Sequence, residues 1–253
     1  MTRLLLMILL LWALPAQAAF DPFTDAGIDR IKDAHLPGEA AMVDQNGEPL
    51  RLQALFGGPP LLFAAVAYTC PNLCGLTLDG LFAGLAGAGL TAGKDYQLVV
   101  VGLDPRDGPD QAAAMLGLLQ HRWHSEPSAL HFLSGPEGAA VTQAMGFRAG
   151  YDPEHQQFAH ISAVAAVTAQ GRLSAWLMGV QFDPRALRLA LVKAGEGRVG
   201  TLGDQALLLC YGYDPVHGRY GWLVERMLKV GGVVTLLGLF GTLGWLWRRG
   251  RVG

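Results

Sequence analysis

From Leu61 to Ala67 the chain reads LLFAAVA, an unbroken apolar run of strand length, which predicts a strand buried on both faces. From about Leu73 to Gly87 the apolar positions change to a helical period, with Leu78, Leu81, Phe82 and Leu85 on one stripe. YQLVVVGL, from Tyr96 to Leu103, reads as a second buried strand, so strand, helix and strand make a βαβ unit with parallel strands. DPRDGPDQAAAMLGLLQHRW opens a second helix, with Asp107 as its N-cap and Pro109 in its first turn. ALHFL is a third strand and GPEGAAVTQAMGF a short helix. HISAVAAVTAQGRLSAWLMG alternates as a hairpin turning at Ala169-Gln170-Gly171, and DPRALRLALVKAG closes with a helix. Upstream, AAMVDQNGEPLRLQALF predicts a short strand, a turn at Gln45-Asn46-Gly47 and a second short element. The expected fold class is α/β, a central mixed sheet flanked by helices.

The two ends follow other patterns. MTRLLLMILLLWALPAQAAF has one arginine, an apolar run from Leu4 to Leu14, a break at Pro15 and small residues to Ala19, the three parts of a secretory signal peptide cleaved near Ala18 or Ala19. Val230 to Trp247 carries no charge and is long enough to cross a hydrocarbon layer as a helix. Trp245 and Trp247 stand at an aromatic belt, and Arg248, Arg249 and Arg251 follow as a cytoplasmic positive cluster. The expected organisation is a signal peptide over 1–19, one domain over 20–194 with its core at 41–193, a linker and juxtamembrane segment over 195–229, a transmembrane helix over 230–247 and a cytoplasmic tail over 248–253. The domain then faces the periplasm from a single-pass anchor in a bacterial inner membrane, a compartment where disulfides are allowed.

Charged residues are 16% of the 253 and the formal net charge is −2, so nothing in the balance points to nucleic acid as a partner. Three cysteines are too few for a disulfide-stapled scaffold.

Two of those cysteines, Cys70 and Cys74, follow directly on the first buried strand. Ligands of open α/β sheets bind outside the carboxyl ends of the strands. Residues four apart at the start of a helix share a face, and the helix N-terminus favours the thiolate. This spacing suits a redox pair and a metal clamp alike. A third metal donor must come from another element. His160 opens the hairpin strand, where a residue at the sheet edge can face the helix start. His121 and His124 sit at a helix end and complement its dipole, while His35, His131, His155 and His217 read as surface or core residues. Two thiolates and an imidazole match Cu(I). Zinc in a Cys₂His site would keep an open position for water, and no carboxylate base is near to use it.

YTCPNLCG, VVVGLDPRDGPD and the isolated HIS, in that order, resemble the Sco/SenC family of thioredoxin-like copper chaperones across about Ala41 to Lys193. The resemblance implies a thioredoxin-like sheet, a copper ion held by Cys70, Cys74 and His160, and a role in assembling the dinuclear copper centre of cytochrome c oxidase. The implied partners are the copper-receiving oxidase subunit, with another copper chaperone or a thiol reductant beside it. Two positions depart from the family pattern. Ala159 stands where aspartate commonly precedes the histidine, and Gly75 where proline commonly follows the second cysteine. The same Cys70 and Cys74 could instead serve a thiol:disulfide oxidoreductase acting on the cysteines of a copper-receiving protein, which needs no His160. A peroxiredoxin-like peroxidase is a weaker match, with only Thr69 suggestive. Asp104, Arg106 and Asp107 read either as site residues or as a helix cap with a local ion pair. Cys210 reads either as a buried small hydrophobe or as a reactive thiol near the membrane.

Overall fold

The computed structural model describes residues 20–70, 73–123 and 127–197, with short stretches between 213 and 242. The signal-peptide segment, His124, Cys210 and His217 lie outside the described residues, as does most of the predicted linker. Among the described residues no helix is long and apolar enough to cross a membrane, and Val230–Trp247 falls partly outside them.

Eleven strands and four main helices follow one another in the domain. They are β1 (Gly27–Ile28), β2 (Ala41–Val43), β3 (Pro49–Arg51), β4 (Leu61–Val66), α1 (Leu73–Ala88), β5 (Gln97–Gly102), α2 (Pro109–Trp123), β6 (Leu130–Leu133) and α3 (Gly138–Ala144). After them come β7 (Phe147–Arg148), β8 (Gly150–Asp152), β9 (Gln157–Ala159), β10 (Ala163–Val167), β11 (Leu173–Met178) and α4 (Pro184–Gly195). The central sheet runs β11-β10-β4-β5-β6. β4, β5 and β6 are parallel, and β10 lies antiparallel to both β4 and β11. This is the expected mixed sheet with helices on its faces, and it fits a thioredoxin-like fold.

The apolar runs explain the layering. In β4 every residue is buried, and alternate side chains enter opposite cores. Leu62, Ala64 and Val66 join Leu78, Leu81, Phe82 and Leu85 of α1 together with Met115 and Leu119 of α2. Leu61, Phe63 and Ala65 meet Met42, Val141, Met145 and Phe147 on the other side. The predicted hairpin turn forms at Thr168–Gly171, where Gly171 takes φ 82° and donates its N–H to Thr168 O. The turn at 45–47 is likewise present, with Gly47 at φ 83° joining β2 to β3.

Helix α1 packs its glycine face on the segment between β11 and α4. A Cβ on Gly84 would stand 2.6 Å from Phe182 O, and one on Gly80 would collide with the Val180 carbonyl. These glycines let the helix approach the backbone beside it closely. Two short pairings were not anticipated: β1 with β7, and the β8–β9 hairpin.

Gly80→Ala is expected to lower stability by about 1–3 kcal/mol through overpacking. Gly117→Ala in α2, where a Cβ meets nothing within 4 Å, should raise it by about 0.5–1 kcal/mol through helix propensity. Urea unfolding followed by tryptophan fluorescence checks both signs.

Candidate metal and thiol site

The parallel strands β4 and β5 end at the same edge of the sheet, and β10, running the other way, begins there. Val164 pairs with Ala64. Continuing that register beyond the paired residues runs from His160 to Tyr68, just ahead of Cys70. Cys70 is half-buried in the turn after β4, its N–H donated to Ala67 O at 3.1 Å, and it packs against the α1 side of the core. Cys74 lies in the first turn of α1, and its side chain is outside the described residues.

One hydrogen bond ties the helix to the start of β10. Thr77, one turn beyond Cys74 and only 2% exposed, has its hydroxyl 2.7 Å from that of Ser162. Ser162 Oγ donates its single proton to Gly179 O at 2.7 Å, so Thr77 is the donor in the Thr77–Ser162 pair. Residues three apart on a helix share a face. The face of α1 that carries position 74 is therefore turned toward the element that begins after His160.

His160 is half-buried against Phe147, with ring centroids 5.9 Å apart. Its Nδ1 is 2.9 Å from Ile161 O. A carbonyl oxygen can only accept, so Nδ1 carries the proton and the lone pair of the neutral ring is on Nε2. Burial holds the imidazole below its ordinary titration range, partly opposed by the Ile161 bond, so the ring is neutral at pH 7. A neutral imidazole with its lone pair on Nε2 is the form that binds a metal. The donor chemistry thus fits a copper ion, with Cys70, Cys74 and His160 as the residues that would hold it. Among the described residues no group of three His, Cys, Asp or Glu side chains forms a metal-holding cluster.

The turn after β5 supports the cysteine turn. Asp107 is only 4% exposed; its Oδ2 accepts from Tyr68 N at 2.6 Å and its Oδ1 from Thr69 Oγ1 at 3.0 Å. This corrects the expected helix cap: the Asp107 carboxylate holds the turn after β4, and Gln111 Oε1 accepts the Gly108 N–H at the start of α2 instead. The expected local ion pair is present. Arg106 donates to Asp104 through Nε at 2.9 Å and Nη2 at 2.6 Å, which holds the Asp104 carboxyl below the usual carboxylate range. Burial pushes the Asp107 carboxyl up, against the bonds from Tyr68 and Thr69. Tyr68 is buried too, its hydroxyl 2.9 Å from both Val100 O and Leu133 O and its ring stacked on Phe132.

The other histidines stand elsewhere. His131 is half-buried with Nε2 3.2 Å from Gln97 Oε1, and His155 is exposed with Nδ1 2.7 Å from Asp152. His35 and His121 are exposed. Sequence reasoning missed Thr77, Ser162 and the true role of Asp107, all of which act through partners distant in the chain. At the two departures, Gly75 has no atom within 4 Å of a Cβ, and Ala159 pairs with Gly150.

No family model matches the chain, and no curated protein matches it significantly. Solved structures do match. A proposed electron transfer protein from Aquifex aeolicus VF5 aligns at 20% identity and a TM-score of 0.58, covering 66% of this chain and 96% of that one. Arabidopsis thaliana ScoI with copper bound aligns at 19% identity and a TM-score of 0.51, covering 62% of this chain and 96% of its own. A SCO1/SenC family lipoprotein from Bacillus anthracis str. Ames aligns at 16% and 0.50, covering 66% and 99%. The chain therefore has a Sco/SenC-like fold.

Asp107→Ala leaves the buried Tyr68 N–H without its acceptor and should cost about 1–3 kcal/mol. Asp107→Asn can accept from Tyr68 and donate to Thr69, so it should cost far less. The raised carboxyl binds its proton more tightly folded than unfolded, so its contribution is full below about pH 3.9 and is lost as pH rises through the folded value. The Asn variant does not titrate. Its stability relative to wild type should rise across that window and then level off, as read by urea midpoints at a series of pH values.

Proposed function

We propose that the chain is a membrane-anchored periplasmic copper chaperone that delivers copper for assembly of the dinuclear copper centre of cytochrome c oxidase. Copper is its cargo. The observation that carries this reading is the arrangement at one sheet end, where β4 runs into the Cys70 turn, β10 begins after His160, and Thr77 ties α1 to Ser162 at the start of β10. The bound copper of Arabidopsis ScoI, a structure of the same fold, supports the same cargo here.

In this reading Cys70 and Cys74 bind as thiolates, releasing their protons, and His160 supplies Nε2. Partial exposure at Cys70 leaves a rim where an incoming donor from the receiving subunit can displace one ligand at a time. The anchor is the segment 230–247. Its described residues are helical, with Val230, Val233, Leu236, Leu237, Leu239 and Phe240 exposed. Thr235 and Thr242 donate back to Gly231 O and Gly238 O, which suits a hydrocarbon surround by satisfying each hydroxyl within the helix.

The position of Cys70 just before a helix N-terminus favours a second reading, thiol:disulfide exchange. One thiolate attacks a partner disulfide, the other cysteine displaces the partner, and the pair ends oxidised while the partner leaves as a dithiol. Oxidation of the pair also removes both thiolate donors, so the two activities exclude each other at any moment.

Competition titration of the reduced chain with a Cu(I) chelator is expected to give one Cu(I) per chain. His160→Ala should weaken binding by more than the about 10- to 100-fold typical of losing an outer hydrogen-bond partner of a ligand. Dithiol exchange should stay near wild type in that variant, and Cys70→Ser should lose both activities. Copper retention equal to wild type in His160→Ala contradicts the chaperone reading and leaves the exchange reading standing.

A further inference from the structure

The turn Asp104-Pro105-Arg106-Asp107 grips two separate elements at once. On one side Asp107 accepts from Tyr68 and Thr69, the residues just before Cys70. On the other, Arg106 Nη2 donates to Gln156 O at 2.9 Å, and its guanidinium lies 5.7 Å from the centroid of the Tyr151 ring. Tyr151 belongs to β8 and Gln156 to the turn that leads into β9, the strand that ends at Ala159 immediately before His160. The halves are joined through the turn's own bonds, Arg106 to Asp104 and Asp107 N to Asp104 O at 3.0 Å.

The β8–β9 hairpin is short: besides Arg106 it is held by the bonds of its own turn, Glu154 N and His155 N to Asp152 Oδ1 at 2.9 and 3.2 Å, and by Gly150 lying against Asp25. Each strand has three residues, the ladder is Gly150–Ala159, Tyr151–Phe158 and Asp152–Gln157, and its one ring pair is Tyr151 edge-on to Phe158 at 5.2 Å. A two-stranded hairpin of this size is marginal by itself in water. Gln156 moreover sits at φ 53°, a left-handed conformation that a side chain disfavours. Its carbonyl is the one Arg106 holds. Arg106 is itself fixed by a bidentate pair to a carboxylate that is only 5% exposed, so it is a stiff support rather than a floating surface charge.

We propose that Arg106 is a positioning residue for the His160 donor: by clamping the turn at Gln156 and the Tyr151 ring, it holds the hairpin that delivers His160, while Asp107 in the same turn holds the Tyr68–Thr69 turn that leads to Cys70. The inference rests on reading His160 as a copper ligand. It assigns to this turn the spacing between the imidazole and the thiol side of the site, a job neither a helix cap nor a surface ion pair would do.

Amide hydrogen exchange on the metal-free full-length chain in detergent tests the clamp without copper. Arg106→Ala should speed exchange across 150–159 by about tenfold or more, as expected from losing a hydrogen bond to a charged group, with β4 and β5 unchanged. Arg106→Lys keeps the charge but not the fork, and should resemble Ala. Chelator titrations with Cu(I) then test the consequence. Arg106→Ala should lower affinity about 10- to 100-fold when His160 is present and change it within about twofold in a His160→Ala background. Unchanged exchange over 150–159 overturns the inference, and so does an equal copper loss in both backgrounds, which is the mark of general damage. If His160→Ala alone leaves copper affinity intact, the proposed function fails, and the exchange result still decides whether Arg106 holds the hairpin.

Discussion

The antiparallel pairing of β10 on β4 is the constraint from which the site follows. Because β4 and β5 are parallel, their ends meet at one edge of the sheet, and only a strand running the other way can start at that edge. Had β10 joined parallel to β4, His160 would stand at the far end of the sheet from Cys70. The pairing itself is secured by burial on both faces, since every residue of β4 and of β10 is inside. A shift of one residue would exchange the two cores, so the register that aligns the site is also the one the packing demands.

On that frame the chemistry is tuned by burial and by a few hydrogen bonds that cross between elements. Burial keeps His160 neutral, and its bond to Ile161 O sets the tautomer. The Asp107 carboxylate is kept inside at a cost and is repaid in hydrogen bonds to the cysteine turn. The glycine face of α1 brings that helix against the chain between β11 and α4, and Thr77 then reaches Ser162. The Ile161 bond orients the imidazole itself, and the Asp107 and Thr77 bonds orient the backbone segments around it.

What could be read along the chain was what is written locally. The run from Leu61 to Ala67, the stripe of Leu78, Leu81, Phe82 and Leu85, and the glycine at 171 each carry their own period or conformational requirement, and each forms the element expected of it. Cys70 and His160 were legible as candidates because strand order puts their positions at one edge. The role of Asp107 was not legible: a carboxylate two residues before a proline has the look of a cap, and its real partner is a backbone N–H distant in sequence. The β8–β9 hairpin was missed for a different reason. YDPEHQQFA has a proline, several polar residues and three-residue strands, so it shows no alternation, and its turn is bonded from outside by Arg106, which is distant in the chain.

The central claim is that two thiolates and one imidazole meet on one copper ion. X-ray absorption at the copper K edge of the reduced, Cu(I)-loaded full-length chain measures the donor set directly. The account predicts two sulfur donors and one imidazole nitrogen on a mononuclear ion; a shell of sulfur alone, or copper bridged between chains, would contradict it.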